Sequence, residues 1–265
     1  MIPRRPLGAA GPEIPVLGLG VSGPLGAGVT TQRQVTALVR AAHEGGARFF
    51  DTAPFYGDAE RRLGAALQGL PRASYVLATK AGEREPDGRI RKDFTAAGVR
   101  AALLKSLAAL RTDHVDLFFL HGPAPAHLTP ALLEGLAKLQ TEGLARAIGV
   151  CARDGAIDAA LAAGIRVIQA PAEGGWAEKA AAAGAGFIGI EALRAAAPDL
   201  RAPASLADLW YLARGLARRA RPAPRGDAPA ALAAALQRPE IAAVLFTTTR
   251  LAHLRANLAA AARAR

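Results

Sequence analysis

Cysteine occurs once in this chain, at Cys151, so no disulfide can close within it, and a reducing compartment is the simplest expectation. Methionine also occurs once, and aromatic residues make up only 5% of the sequence. The 51% that is hydrophobic is therefore mostly Ala, Leu, Val and Ile, enough for a large buried core. Long apolar runs are missing. Ala180 to Ile190, one of the longest, is short and broken by glycine, so no transmembrane helix and no membrane partner are expected. No apolar stretch follows Arg4 and Arg5, so no secretory signal is expected, and the expected location is cytoplasmic.

Acidic residues are also scarce relative to basic ones, leaving a formal net charge of +11. Such a balance raises the question of nucleic acid. The arginines are scattered through Ala-rich segments, however, and aromatics are not interleaved with them. Even the densest cluster, Arg214, Arg218, Arg219, Arg221 and Arg225, reads as a solvated surface. Nucleic acid is not expected as a partner.

Two kinds of segment alternate along the 265 residues. Short apolar runs read as buried strands: Val16 to Gly20, Ala47 to Phe50, Tyr75 to Thr79, Val115 to Leu120, Leu144 to Val150, Arg166 to Gln169, Gly186 to Ile190 and Ala242 to Phe246. Between them lie Ala/Leu segments with helical spacing: Thr31 to His43, Asp58 to Leu70, Thr95 to Leu110, Thr129 to Thr141, Asp154 to Ala163, Trp176 to Ala183, Ser205 to Ala220 and Ala228 to Gln237. Thr31, Thr129 and Ser205 are suited to N-capping, and Gly45-Gly46, Gly143 and Gly164 to ending helices. The stretches Ala195 to Ala204 and Arg221 to Pro229 read as loops. Strands apolar throughout imply a sheet covered on both faces, hence parallel β/α architecture. Eight such units in one composition regime predict a single-domain (β/α)8 TIM barrel spanning residues 1–265.

In such a barrel the active site lies at the C-terminal ends of the strands. Reading past each strand finds Asp51 and nearby Tyr56 after the second, Lys80 at the end of the third and His121 at the end of the fourth. Each has a bland alternative: a capping Asp, a packing Tyr, a surface or Schiff-base Lys, a core His. Together they suit reduction of a carbonyl. Hydride transfer leaves an alkoxide that needs a proton donor. A free tyrosine, with a pKa of about 10, is a reluctant one. Lys80 would lower that value, Asp51 would keep Lys80 charged and fixed, and His121 would donate a hydrogen bond to the same oxygen. No metal is expected, because the five histidines are not spaced as a ligand cluster.

The run Phe50-Asp51-Thr52-Ala53-Pro54-Phe55-Tyr56-Gly57-Asp58-Ala59-Glu60 resembles the strand-two signature of the aldo-keto reductase family. Leu77-Ala78-Thr79-Lys80 resembles its lysine strand. Val115-Asp116-Leu117-Phe118-Phe119-Leu120-His121 resembles its histidine strand, and Arg146-Ala147-Ile148-Gly149-Val150 the strand that follows. The likeness extends over nearly the whole chain. It implies an NADP-dependent oxidoreductase that reduces a small aldehyde or ketone to an alcohol, with NADPH as cofactor and NAD as the alternative. It also implies an extended cofactor at the barrel mouth. Gly20, Val21, Asp51, Cys151 and Gln169 would face the nicotinamide half, and Thr247, Thr248, Thr249, Arg250, Arg255 and Asn257 the adenosine half. Hydroxyls at a helix N-terminus suit phosphate, and Arg250 or Arg255 would pair a 2′-phosphate.

Three positions depart from the family pattern. Cys151 and Ala152 stand where relatives carry Ser-Asn to hold the nicotinamide carboxamide, and Glu191 stands where an aromatic often stacks on the ring. The altered shelf leaves open a cofactor-binding sensor or regulatory protein with little turnover.

Overall fold

The computed structural model describes residues 2–9, 11–84, 91–192, 205–217 and 228–263. The chain opens with an antiparallel hairpin, β1 (Arg4–Pro6) and β2 (Glu13–Pro15). Barrel strands follow: β3 (Leu17–Gly20), β4 (Phe49–Asp51) and β5 (Val76–Ala81). A second short hairpin, β6 (Glu83–Arg84) with β7 (Arg91–Lys92), comes next. Five more barrel strands complete the set: β8 (Val115–His121), β9 (Ala145–Cys151), β10 (Val167–Pro171), β11 (Gly186–Ile190) and β12 (Ala243–Phe246). All eight pair in parallel, and β12 closes on β3 with Val244 opposite Leu17 and Phe246 opposite Leu19. The expected (β/α)8 barrel is the architecture.

Around it run α1 (Gln32–Glu44), α2 (Ala59–Leu67), α3 (Ala96–Leu110), α4 (Pro130–Thr141), α5 (Gly155–Ala162), α6 (Trp176–Ala182), α7 (Leu206–Ala217), α8 (Ala228–Leu236) and α9 (Leu251–Arg263). The predicted caps are made. Thr31 and Gln34 form a reciprocal capping box on α1, Thr129 accepts from the Leu132 amide, and Ser205 accepts from the Asp208 amide at 3.1 Å. Gly143 and Gly164 end α4 and α5 in the left-handed region. The helix expected over Asp58 to Leu70 is shorter, stopping at Leu67 before the left-handed Gly69. The loops expected over 195–204 and 221–229 lie almost wholly outside the described residues, as do Arg218, Arg219, Arg221 and Arg225 of the basic cluster. No helix among the described residues is long and apolar enough to cross a membrane.

Two cores follow from strand periodicity. Residues facing outward, such as Phe50, Leu77, Phe118, Leu120 and Ile168, pack under the helices. Residues facing inward, Phe49, Ala78, Leu117, Phe119, Val167, Ile188 and Leu245, fill the barrel. Leu7 and Ile14 from the first hairpin join this inner cluster and stopper its N-terminal end. Arg5 ties that hairpin down by donating to the Leu236, Arg238 and Ile241 carbonyls. Neither hairpin is among the strands expected from sequence, because runs of two or three polar and apolar residues carry no readable period.

The inner filling leaves no room at Gly18 on β3. A Cβ there would lie 2.5 Å from Leu245 Cδ2 and 2.8 Å from Phe49 Cδ1. Gly18→Val should therefore overpack the barrel and cost about 1–3 kcal/mol. Urea unfolding checks this; an unchanged midpoint would show that the interior yields to the extra volume.

Candidate active site

Alternation along a strand turns the apolar inner layers into a polar top layer. Phe49 faces inward on β4, so Asp51 two residues later does too. By the same step Ala78 leads to Lys80 on β5, Phe119 to His121 on β8, and Val167 to Gln169 on β10, while Cys151 ends β9. Register then places these ends side by side. Gly20 lies opposite Asp51, Asp51 opposite Ala78, Lys80 opposite Phe119, and Cys151 opposite both His121 and Gln169.

Lys80 is the centre of the layer and only 1% exposed. Its Nζ donates to Asp51 Oδ2 at 2.6 Å and to the Thr52 carbonyl at 3.0 Å. Asp51 Oδ1 accepts from Gln169 Nε2 at 3.0 Å. Thr52 is itself anchored by its hydroxyl on the Val21 carbonyl, 3.1 Å away. Tyr56 sits on the short 3₁₀ turn Pro54–Tyr56 above the pair, with Lys80 Nζ 5.3 Å from its ring centroid. The His121 ring stands edge-on to Tyr56 at 5.8 Å and to Phe55 at 6.1 Å between centroids. The four residues expected to act together are brought together. Glu60, from the same sequence run, lies behind the strand, where its buried carboxylate accepts from Thr79 Oγ1 at 2.6 Å and fastens α2 to β5.

Burial and one cation set the charges. Burial disfavours the charged form of Lys80, but Asp51 and Tyr56 outweigh it and hold the ammonium above its ordinary range. Burial pushes the Tyr56 phenol up to about 12, with Lys80 pulling the other way. This corrects the expectation of a lowered phenol: the lysine has the expected sign, but desolvation wins. Burial likewise raises the Cys151 thiol to about 12, so it is no thiolate. His121 is brought down to about 3, by burial first and then by Lys80 and Lys92, and is neutral at ordinary pH.

A family model, Aldo/keto reductase family, matches residues 16–169, which run from the first barrel strand to Gln169. The chain belongs to the aldo-keto reductase family. A D-threo-aldose 1-dehydrogenase from Pseudomonas sp is 38% identical over 169 residues, covering 54% of this chain and 51% of that protein. An L-galactose dehydrogenase from Arabidopsis thaliana is 38% identical over 158 residues, covering 56% of this chain and 48% of that protein. The match thus spans about half the length of these curated relatives. The fold is shared with the holo form of an aldo-keto reductase from Bacillus halodurans, at TM-score 0.81 and 23% identity, over 98% of this chain and 91% of that one.

In this aldo-keto reductase the residues expected to hold a cofactor fall into two groups. Gly20, Val21, Cys151 and Gln169 ring the polar layer. Gln169 Oε1 is buried without a hydrogen-bond partner among the described residues. Ala152 is buried, and Glu191, in a left-handed conformation, pairs with Arg153 at 2.7 Å. Around the end of β12, Thr247 Oγ1 donates to the Gly20 carbonyl and lies 3.3 Å from Ser22 Oγ. Thr248 Oγ1 accepts from the Arg250 amide, an ordinary cap ahead of α9, and Thr249 lies between them. Arg250 makes a two-pronged pair with Asp208 of α7 at 2.7 and 2.9 Å. Arg255 is exposed on α9, and Asn257 is buried in it. Sequence reasoning missed Ser22, Asp208 and Glu83. Ser22 and Glu83 lie two and three residues past Gly20 and Lys80, in the connections that follow the strands. Asp208 meets Arg250 only through the packing of α7.

Removing the central cation leaves a buried carboxylate uncompensated. Lys80→Met should cost about 3–5 kcal/mol of stability. Because the folded Lys80 pKa is raised, its contribution is complete below the free-lysine value of about 10.4 and is lost as pH rises through the higher folded value. Urea midpoints measured from pH 8 upward should show this alkaline decline in the parent, and a shallower one in Lys80→Met. Parallel declines in both proteins would place the loss elsewhere.

Proposed function

We propose that this aldo-keto reductase is an oxidoreductase that reduces a small aldehyde or ketone to an alcohol, using NADPH in preference to NADH. The observation that carries the reading is the buried Lys80–Asp51 pair set directly beneath Tyr56, with His121 edge-on to the phenol. When bound, the nicotinamide dinucleotide supplies the hydride that reduces the carbonyl carbon by two electrons. The carbonyl oxygen takes a proton from the Tyr56 hydroxyl and becomes the alcohol. The phenolate left behind faces Lys80, whose fixed ammonium stabilises that charge without rearranging, and is reprotonated from solvent. Asp51 and the Thr52 carbonyl keep Lys80 from turning to water instead. Neutral His121, with Phe55, forms the wall that orients the carbonyl.

The residues suit such a cofactor. The orphaned Gln169 Oε1 fits a carboxamide NH2, and the cations Arg250 and Arg255 fit a 2′-phosphate. Cys151 and Ala152 add little to the carboxamide, so the adenosine end carries much of the affinity. The Asp208 carboxylate competes with a 2′-phosphate for Arg250. Asp208→Asn should therefore widen the preference for NADPH over NADH, and Arg250→Ala with Arg255→Ala should narrow it. Fluorescence titration with both cofactors measures the gap, and equal affinities in the parent would remove the 2′-phosphate role.

Tyr56→Phe tests the chemistry. Turnover of aldehydes should fall by on the order of 10²–10⁴ while cofactor affinity stays near that of the parent. Because Tyr56 keeps its proton up to about 12, the parent's kcat for reduction should show no alkaline fall from loss of this proton below about pH 11. A Tyr56→Phe protein that reduces aldehydes as fast as the parent would overturn the proton-donor role. Tight cofactor binding without turnover across an aldehyde and ketone panel would favour the sensor reading instead.

A further inference from the structure

The loop that follows β3 is bonded to the segment carrying Tyr56 at three places. The Val21 amide donates to the Asp51 carbonyl at 2.8 Å, and the Thr52 hydroxyl donates to the Val21 carbonyl at 3.1 Å. The Asp58 amide donates to the Gly26 carbonyl at 3.1 Å. At this last contact backbone lies directly on backbone. A Cβ at Gly26 would collide with the Tyr56 carbonyl oxygen, and one at Gly57 would lie 2.9 Å from the Gly26 carbonyl oxygen. Gly26 is thus the seat of the Pro54–Tyr56 turn. A buried cation grips the loop on either side of that seat. Arg62, in the first turn of α2, is only 9% exposed. Its Nη1 donates to the Thr30 carbonyl at 2.7 Å and to the Leu25 carbonyl at 3.2 Å. Thr30 Oγ1 donates in turn to the Pro24 carbonyl at 3.0 Å, closing the same loop.

A buried guanidinium is costly unless it is hydrogen-bonded, and the carbonyls of an irregular loop need donors of their own. Arg62 and the loop meet both needs at once. The neighbouring Arg61 is exposed and pairs with Asp58 instead. On its other side α2 is fastened to β5, the strand of Lys80, through Glu60 and Thr79. We propose that Arg62 is a positioning residue for Tyr56, acting through the seat at Gly26: by fixing the loop after β3 it holds the Pro54–Tyr56 turn over Lys80 and keeps water from the phenol. Removing the guanidinium frees the Leu25 and Thr30 carbonyls to turn to solvent, and the turn resting on Gly26 loses its support. The consequence for turnover rests on reading the site as a carbonyl reductase; the placing of Tyr56 does not.

Two measurements test it. Tyrosine labelled with ¹³C at Cζ gives three signals, from Tyr56, Tyr75 and Tyr211, and Tyr56→Phe identifies the first. In the parent, burial keeps the Tyr56 proton up to about 12. Arg62→Met and Gly26→Ala should admit water to the phenol and lower its titration midpoint by about one pH unit, toward the free value of about 10. Lys80, Asp51, Cys151 and His121, which face the phenol, are the same in every variant, so the change reads solvent. Arg62→Lys, which keeps a donor for the loop, should shift less, and Arg61→Met should match the parent. Unfolding would move the Tyr75 and Tyr211 signals as well; if Arg62→Met unfolds, the milder Arg62→Lys decides. A parental Tyr56 midpoint in the folded Arg62 variants overturns the role of Arg62, and one in Gly26→Ala overturns the seat. The second readout is kinetic. In Arg62→Met, kcat for aldehydes should fall by about ten-fold to about a hundred-fold, the effect of a displaced reacting group. NADPH affinity should change by less than about two-fold, because Val21 and Ser22 keep their own contacts with Asp51, Thr52 and Thr247. An unchanged kcat alongside a lowered midpoint overturns the kinetic half. A parent that reduces no carbonyl compound overturns the reductase reading, and the titration still decides the role of Arg62.

Discussion

The contact between Lys80 Nζ and Asp51 Oδ2, 2.6 Å long and almost sealed from water, is the constraint around which the top of the barrel is arranged. A buried ion pair is poor value as a source of stability, because desolvating two charges offsets most of their attraction. Here it sets the state of its neighbours. The same ammonium pulls the Tyr56 phenol and the Cys151 thiol down against burial, and pushes His121 further toward neutrality. Without the carboxylate, burial would oppose the lysine's charge with less to hold it, and that influence would weaken. The Gln169 amide and the Thr52 carbonyl complete the pair's hydrogen bonding, which is what makes a charge tolerable so deep in the fold.

The barrel makes this arrangement possible by keeping its two ends different. Below the polar layer, Phe49, Leu117, Phe119 and Val167 pack the interior, and Leu7 and Ile14 stopper the lower end. This filling separates the ion pair from the lower end of the barrel. Above it, the Pro54–Tyr56 turn and the β6–β7 hairpin bring Tyr56 and Glu83 to the barrel mouth. Chemistry is concentrated where the strands stop, because there the inward positions no longer have to fill the core.

Much of the fold was legible in the chain itself. Eight apolar runs separated by Ala/Leu segments require parallel strands covered by helices, and the caps at Thr31, Thr129 and Ser205 mark helix starts by local hydrogen bonding alone. The grouping of Asp51, Lys80 and His121 was legible too. Each ends a strand, and the period of two points each inward once the strand is placed. The two hairpins, too short for a period, were not legible.

By itself, then, the sequence determined the barrel, its strand order and the identity of the polar layer, since these depend on local periodicity and on where apolar runs end. The tertiary structure decided the balances. Whether Tyr56 is lowered by Lys80 or raised by burial depends on how much water is excluded around the phenol. Whether Arg250 is free for a phosphate depends on α7 laying Asp208 against it from 42 residues away. Which nitrogen of His121 meets a carboxylate depends on a hairpin that brings Glu83 across from another strand end. Each is a competition between burial and charge at a distance of a few ångströms, and residues far apart in the chain meet at that distance only after folding.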